Sequence, residues 1–194
     1  MPNLCETTYR CVGEPEQIKD LHKILQRMNR RKKPKHPNGW GGTLWLGELV
    51  TELGFDWQNH RCRGEIIDFQ EEDKNILMIA MSTAWCEQEG VRKCIEKKYP
   101  SIKVYFRDEE PGCDVFCTNS FEHFPDRYFL DSYEDPMYFE TIEEAHGYIE
   151  SLVGHHVEKT FEALDSAVKQ YQEEQEEKGI DCFWFLHEFQ LVED

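Results

Sequence analysis

The sequence has 194 residues, 39% of them apolar and 13% aromatic, and this hydrophobic content is too high for a disordered chain. No stretch reaches the roughly 18–20 uncharged apolar residues of a membrane-spanning helix, so we do not expect an integral membrane protein. The formal net charge of −17, from 39 acidic and 22 basic side chains, argues against binding to nucleic acid, because phosphates require a basic surface.

The charge is unevenly distributed along the chain. The net charge is +5 over residues 1–36, −7 over residues 37–130 and −15 over residues 131–194, where eighteen acidic side chains face three basic ones. Acidity is therefore concentrated toward the C-terminus. The basic run 30–36 (Arg-Arg-Lys-Lys-Pro-Lys-His) is the one feature that favours nucleic acid.

The start of the sequence and its cysteines predict a cytoplasmic protein without a cofactor. Residues 1–6 lack the basic and then apolar segments of a secretory signal. The eight cysteines have the spacing neither of a disulfide framework nor of paired zinc ligands, so we expect reduced thiols and no metal. His155 and His156 adjoin in a predicted helix and would point about 100° apart, which also disfavours a shared metal.

The first part of the chain predicts a strand, a helix and a hairpin. Residues 4–12 are β-prone, and residues 15–30 carry apolar side chains at helical spacings of three and four. The Gly- and Trp-rich segment 34–60 has no clear period and predicts an ordered loop with short pieces of structure. Two β-rich runs, 62–69 and 75–83, are separated by a polar linker of hairpin length.

A second helix and a fourth strand complete a recognisable order. Residues 87–98 have a helical pattern that Pro100 closes, and residues 102–107 alternate in the manner of a strand. The order β-α-β-β-α-β predicts an α+β fold of the ferredoxin-like, split βαβ type. We expect an antiparallel sheet with strand order 4-1-3-2 and both helices on one face.

The rest of the chain predicts further strands and an acidic helical extension. Residues 113–119 and 124–130 are strand-like, and Thr141 with Glu144 fits a helix capping box. The apolar run at residues 182–186 predicts a final strand. We expect domains at 1–130 and 131–194, the second packing its helical apolar stripe on the first; that stripe consists of Tyr148, Ile149, Leu152, Phe161, Leu164 and Val168.

Five short strings carry a family resemblance: Met-Pro-Asn-Leu-Cys-Glu at 1–6, Gly-Gly-Thr-Leu-Trp at 41–45, Ser-Thr-Ala-Trp at 82–85, Lys-Tyr-Pro at 98–100 and Glu-Glu-Pro-Gly at 109–112. In this order they resemble the YubB-type or Api-like ferredoxin-like proteins of phages, plasmids and other mobile elements. The resemblance covers about residues 1–120. It implies the fold and a mobile-element setting, with no established reaction and no iron–sulfur cluster.

Two positions depart from that family's pattern. Thr7 stands where Asn usually follows the opening Cys-Glu, and Leu44 stands where Lys usually precedes the Trp. No polar family role is therefore carried over to Thr7 or Leu44.

A candidate groove is predicted around the Gly/Trp-rich loop and the end of the third strand. Its members are Trp40, Trp45, Ser82, Thr83, Trp85, Cys86, Glu109 and Glu110. Cys86 would lie near a helix N-terminus, which can lower the pKa of a thiol. No His or Asn can be tied to Cys86, so a packing role is preferred and no catalytic residue is assigned. The tryptophans are expected to pack the loop on the sheet or to line a ligand site.

The acidic C-terminal region supports the leading functional prediction, a non-enzymatic interaction module that binds a basic protein surface or mimics the charge of nucleic acid. The predicted partner face consists of Glu158, Glu162 and Asp165. The same carboxylates could serve solubility alone. Two other functions are an enzyme or small-molecule-binding domain at the candidate groove, and an RNA-binding sheet; the latter lacks the expected aromatic pattern on adjoining strands.

Overall fold

The computed structural model describes residues 3–36, 42–133 and 136–193. These residues form an α+β protein with five α-helices and nine β-strands. The chain divides into two compact units, Met1–Val115 and Phe116–Asp194, rather than at residues 130 and 131. Within the described ranges, no helix is long and apolar enough to cross a lipid bilayer.

The first unit is built on a four-stranded antiparallel sheet. Its elements are β1 (Leu4–Val12), α1 (Pro15–Arg30), α2 (Leu46–Glu52), β2 (Gly64–Asp73), β3 (Ile76–Ala84), α3 (Glu89–Lys98) and β4 (Lys103–Glu110). The strands lie in the order β2-β3-β1-β4, which is the predicted order, and all three pairings are antiparallel.

One face of β1, β3 and β4 is buried in this sheet. Alternate residues of β1, β3 and β4 are buried, and the register places them side by side because Tyr9 lies opposite both Ile79 and Phe106. Both α1 and α3 bury an apolar stripe. The Tyr99 hydroxyl, just after α3, donates to Asp20 of α1 at 2.8 Å. This hydrogen bond joins the end of α3 to α1.

The segment predicted as an ordered loop contains α2. Leu46, Leu49 and Val50 bury its apolar side, and the segment before it lies against β2 through a hydrogen bond from Ile66 N to Leu44 O of 2.9 Å. Gly47 is required because a Cβ there would lie 2.2 Å from the ring of Trp45. Helical periodicity cannot be recognised over seven residues, which is why the sequence did not reveal α2.

The basic run is held against α2 by two carboxylates. Glu48 is fully buried, accepts from the Arg31 guanidinium at 2.8 Å and accepts from the backbone N–H of His36 at 2.6 Å. Glu52 pairs with Arg31 at 2.5 Å and with Lys35 at 2.6 Å. These two cations of the run are thus neutralised within the fold.

The second unit has its own sheet. Its elements are β5 (Val115–Thr118), β6 (Tyr128–Ser132), β7 (Met137–Phe139), α4 (Ile142–Val153), α5 (Phe161–Glu177), β8 (Trp184–Glu188) and β9 (Gln190–Leu191). The strands β7-β6-β8 form an antiparallel sheet, and β5 pairs with β9 in parallel.

The apolar stripe of α4 and α5 packs against the sheet of this same unit. Ile149, Leu164 and Val168 are buried in one cluster with Leu130 of β6 and Leu186 of β8. Docking on the first unit, which we expected, is not needed to bury the stripe. The strands β6, β7 and β8 supply the apolar surface instead, because sequence patterns do not show which sheet a helix will cover.

Two threonines and a glycine define the ends of α4 and α5. The predicted capping box is confirmed: Thr141 accepts from Glu144 N at 3.3 Å, and the Glu144 carboxylate accepts from Thr141 N at 3.3 Å. Gly154, with φ +76°, ends α4, and Thr160 caps α5. His155 and His156 lie between the two helices, so their predicted place on a helix was wrong.

Candidate functional site

The residues predicted to line one groove lie in different environments. Trp40 lies outside the described residues. Trp45 is buried, and its indole N–H donates to Cys62 O at 2.8 Å. Ser82 and Glu109 share one face of the sheet, since both lie opposite Glu6. Thr83 and Glu110 point to the other, buried face.

A network of buried polar side chains lies under that end of the sheet. Thr7 donates to the Asp108 carboxylate at 2.6 Å, and its hydroxyl lies 2.8 Å from the hydroxyl of Thr83. The second Asp108 oxygen accepts from the backbone N–H of Glu87 at 2.6 Å. All three side chains are at most 1% exposed. Each hydroxyl and carboxylate oxygen of the three thus has a partner, as buried polar groups require.

Glu87 links this network to α3. Its carboxylate accepts from the Tyr9 hydroxyl at 2.7 Å and pairs with the Arg92 guanidinium at 3.1 Å. The Arg92 guanidinium also lies over the ring of Phe106, 5.3 Å from its centroid. Glu87 is therefore fixed at two points: its backbone N–H bonds Asp108, and its carboxylate pairs with Arg92. These two contacts hold the segment between β3 and α3.

Burial sets the acidity of the network. Desolvation raises the pKa of Asp108 from 3.8 to about 6. The hydrogen bonds from Thr7 and from the Glu87 backbone lower this pKa, but their effect is smaller. Desolvation and then the charge of Asp108 also raise the pKa of the Cys86 thiol. The helix α3 begins at Glu89, three residues after Cys86. A nucleophilic cysteine needs the opposite shift.

Trp85 has a rare backbone conformation at this turn. Its φ of +76° places a bulky residue in the left-handed region, and its indole is 44% exposed. The backbone N–H of Trp85 donates to Asn3 O at 3.0 Å. This turn lets the chain leave β3 and bring Glu87 N to Asp108. The arrangement holds a loop and presents an aromatic ring to solvent.

An aromatic groove of about 250 Å³ lies in the second unit. Its lining residues, which define the term aromatic groove below, are Tyr133, Tyr171, Gln175, Ile180, Asp181, Cys182, Phe183 and Trp184. The rings contact one another: Tyr133 and Phe183 have centroids 5.4 Å apart, and Tyr171 meets Trp184 edge to face at 6.0 Å. The Gln172 side chain accepts from Trp184 N at 3.0 Å and so holds the start of β8 to α5.

Parts of the aromatic groove are open to solvent. Tyr133 is 74% exposed and Ile180 is 50% exposed. Apolar side chains exposed beside a concave surface are typical of binding sites.

The second unit holds nearly all of the net charge. It carries four Lys or Arg and twenty Asp or Glu, a net charge of −16, whereas the first unit carries eighteen and nineteen, a net charge of −1. Exposed carboxylates stand on both sides of Gln175, which lines the aromatic groove; they are Glu173, Glu174, Glu176 and Glu177. The groove therefore lies in a strongly negative field.

The predicted acidic partner face lies at the other end of α5. Glu162 is exposed in the first turn, Glu158 is exposed before the helix, and Asp165 is half-buried and paired with Lys169 at 2.6 Å. From Glu162 to Gln175 the helix rises about 20 Å. This face and the aromatic groove are thus separate parts of the second unit.

The fold and these surfaces define a two-unit α+β protein with a buried polar network in one unit and an acidic aromatic groove in the other. Comparison of the chain with protein-family models, curated proteins and solved structures gave no match.

Sequence reasoning missed the aromatic groove because its lining comes from three separated parts of the chain. The run at residues 182–186 is apolar on both faces, which predicts a strand packed in the core. The alternation of a strand could have shown that Leu186 is buried and Phe185 is exposed, because adjacent side chains point to opposite faces.

Proposed function

We propose that this protein is an interaction module that binds a basic segment of a partner protein in the aromatic groove. The observation that carries the proposal is the position of this groove in a unit with a net charge of −16. The negative field would attract a cationic partner, and the exposed rings would supply the contact area. Lysine and arginine suit both the negative field and the exposed rings, because their aliphatic stems pack on aromatic faces while their charged groups stay in solvent.

The size of the aromatic groove favours a peptide over a small molecule. Sites for small molecules usually enclose about 300–1,000 Å³ and bury most of the ligand. This groove has about 250 Å³, and Tyr133 at its edge is largely exposed. A side chain or two of an extended segment would fit, with the rest of that segment lying across the surrounding carboxylates.

The proposal includes the family setting inferred from the sequence. The first unit would be a ferredoxin-like domain like those of YubB-type or Api-like proteins, and the protein an accessory factor of a mobile element that acts in the cytoplasm. The strand order β2-β3-β1-β4, with two helices on one face, supports the fold. The second unit would be the acidic module of this protein, and mimicry of nucleic-acid charge would be one use of it.

The other predicted functions have less support. An enzyme at Cys86 would require an activated thiol, whereas burial and Asp108 raise its pKa. A nucleic-acid site on the basic run would compete with the ion pairs that Arg31 and Lys35 make with Glu52.

The test uses two fluorescein-labelled peptides, one alternating lysine and leucine and one alternating glutamate and leucine, with binding followed by fluorescence anisotropy. We expect the lysine peptide to bind and to weaken with added salt, because screening reduces the attraction. Tyr133→Ala and Ile180→Ser should each weaken binding by about tenfold, the loss typical of an exposed anchor residue.

The control is Leu191→Ala, which removes an equally exposed apolar side chain that does not line the groove. Its binding should equal that of the unmodified protein. Equal binding of the two peptides, or unchanged binding by Tyr133→Ala and Ile180→Ser together, would refute the proposal.

A further inference from the structure

Three side chains with metal-binding atoms converge between α4 and α5. His146, Glu150 and His156 each place one candidate ligand atom within 4.8 Å of the others. His146 and Glu150 are four residues apart on α4 and so share one helix face. Gly154 ends the helix in a left-handed conformation and turns the chain back, so that His156 Nδ1 lies 2.6 Å from the Glu150 carboxylate.

The chemistry of the set suits a divalent transition metal. Two imidazoles and one carboxylate form a recurrent ligand set for zinc, with a fourth position left for water. The side chain of His156 is 87% exposed, that of Glu150 30% and that of His146 18%, so water can reach the cluster. A helix contributes the two less exposed ligands, which limits the movement needed on binding.

The turn after α4 holds the Glu150 carboxylate in place. The N–H of Val157 donates to this carboxylate at 3.0 Å, and His156 Nδ1 lies 2.6 Å from the same oxygen. The net charge of −16 on the unit adds a general attraction for cations. A carboxylate fixed by neighbouring backbone and side-chain contacts needs little movement to bind a metal ion.

The present contacts of the cluster are hydrogen bonds that a metal would replace. His146 Nε2 lies 2.9 Å from Val157 O and 3.4 Å from the Glu150 carboxylate. Both imidazoles therefore already point at one oxygen of Glu150. A cation at this point would replace the hydrogen atoms that now lie between the imidazole nitrogens and the carboxylate oxygen.

We propose that His146, Glu150 and His156 form a zinc-binding site that ties the segment after α4 to that helix. This site is separate from the aromatic groove and does not depend on the proposed function. It replaces the expectation of no metal, which rested on cysteine spacing and on the angle between His155 and His156. The sequence did carry a signal, His146-x₃-Glu150 in a predicted helix.

The test is a titration of the chelator-treated, ¹⁵N-labelled full-length protein with zinc chloride, followed by NMR of the imidazole nitrogens. This readout identifies the histidines that bind and is not confused by zinc on any of the eight cysteines. We expect one equivalent of zinc to shift the ring nitrogens of His146 and His156. The neighbouring His155 should not shift, and His155→Ala should bind zinc as the unmodified protein does.

Substitution then tests the ligand set. Glu150→Gln and His156→Ala should each weaken zinc binding at this site by more than about tenfold. Both lie on the surface, so circular dichroism of the zinc-free variants will verify that they fold. Zinc should also raise the melting temperature of the unmodified protein and not that of Glu150→Gln. Unshifted His146 and His156 nitrogens, or equal affinity of Glu150→Gln, would overturn the proposal.

Discussion

Asp108 is the residue whose titration should be visible in the stability of the whole protein. Its pKa in the folded state is about 6, above the ordinary 3.8, because burial disfavours the carboxylate. The folded protein therefore binds the Asp108 proton more tightly than the unfolded chain does. The resulting contribution of Asp108 to the free energy of unfolding is fully present below about pH 4, and it is lost as the pH rises through about 6. The full loss, over roughly two pH units, is on the order of 3 kcal/mol.

The matching variant is Asp108→Asn, which keeps the shape and cannot ionise. The difference in unfolding free energy between Asp108→Asn and the unmodified protein should shift in favour of the variant from pH 4 to pH 7. Urea unfolding across this range measures it. The exposed Asp68→Asn serves as the control and should show no such trend. A constant difference for Asp108→Asn would show that Asp108 stays ionised throughout.

The sequence held part of the information about this network. Asp108 alternates with Val104 and Phe106, so the strand pattern alone places its side chain on the buried face. The partners of Asp108 were not predictable in the same way. The register that brings Thr7 opposite Asp108, and the turn at Trp85 that brings Glu87 N to it, depend on long-range pairing.

At the scale of elements, removal of the capping box of α4 measures how much this local interaction stabilises the protein. Thr141→Ala removes the acceptor for Glu144 N, so one N–H of the first turn loses its protein partner. We expect a loss of about 1 kcal/mol in the free energy of unfolding, measured with urea. Ser151→Ala, at an exposed position inside the same helix, should change stability by less than about 0.5 kcal/mol. Equal losses from both would contradict a specific role of the cap.

Elements with a long or regular pattern could be predicted, and short ones could not. The helix at 15–30 was predicted with its observed ends, because its apolar residues recur over four turns and Pro15 marks its start. The seven-residue α2 and the three-residue β7 are too short for a period to appear. Their positions follow from tertiary contacts, such as Glu48 with Arg31.

At the scale of the whole molecule, the sequence predicted the α+β class and the antiparallel order of the first sheet, but not the internal sheet of the second unit. The strands β6, β7 and β8 pair across up to sixty residues of chain, and nothing local to Tyr128 indicates that it lies opposite Glu188. The charge asymmetry was visible from the sequence alone. Its connection with the aromatic groove was not, because the groove exists only after residues 133, 171 and 180–184 meet.

The position of β2 at the edge of the first sheet has a consequence for self-association. An edge strand offers unpaired backbone groups to another molecule. Here the segment at Leu44 bonds the start of β2, register shifts follow Ile66 and Glu71, and most of the later side chains are exposed and acidic. These are the features that keep sheet edges from joining. Replacing Asp68 and Gln70 by Val should therefore produce aggregates in light scattering at neutral pH. The control Glu162→Val, on a helix, should leave the protein dispersed, and a dispersed Asp68→Val, Gln70→Val protein would show that the bulged backbone alone is sufficient.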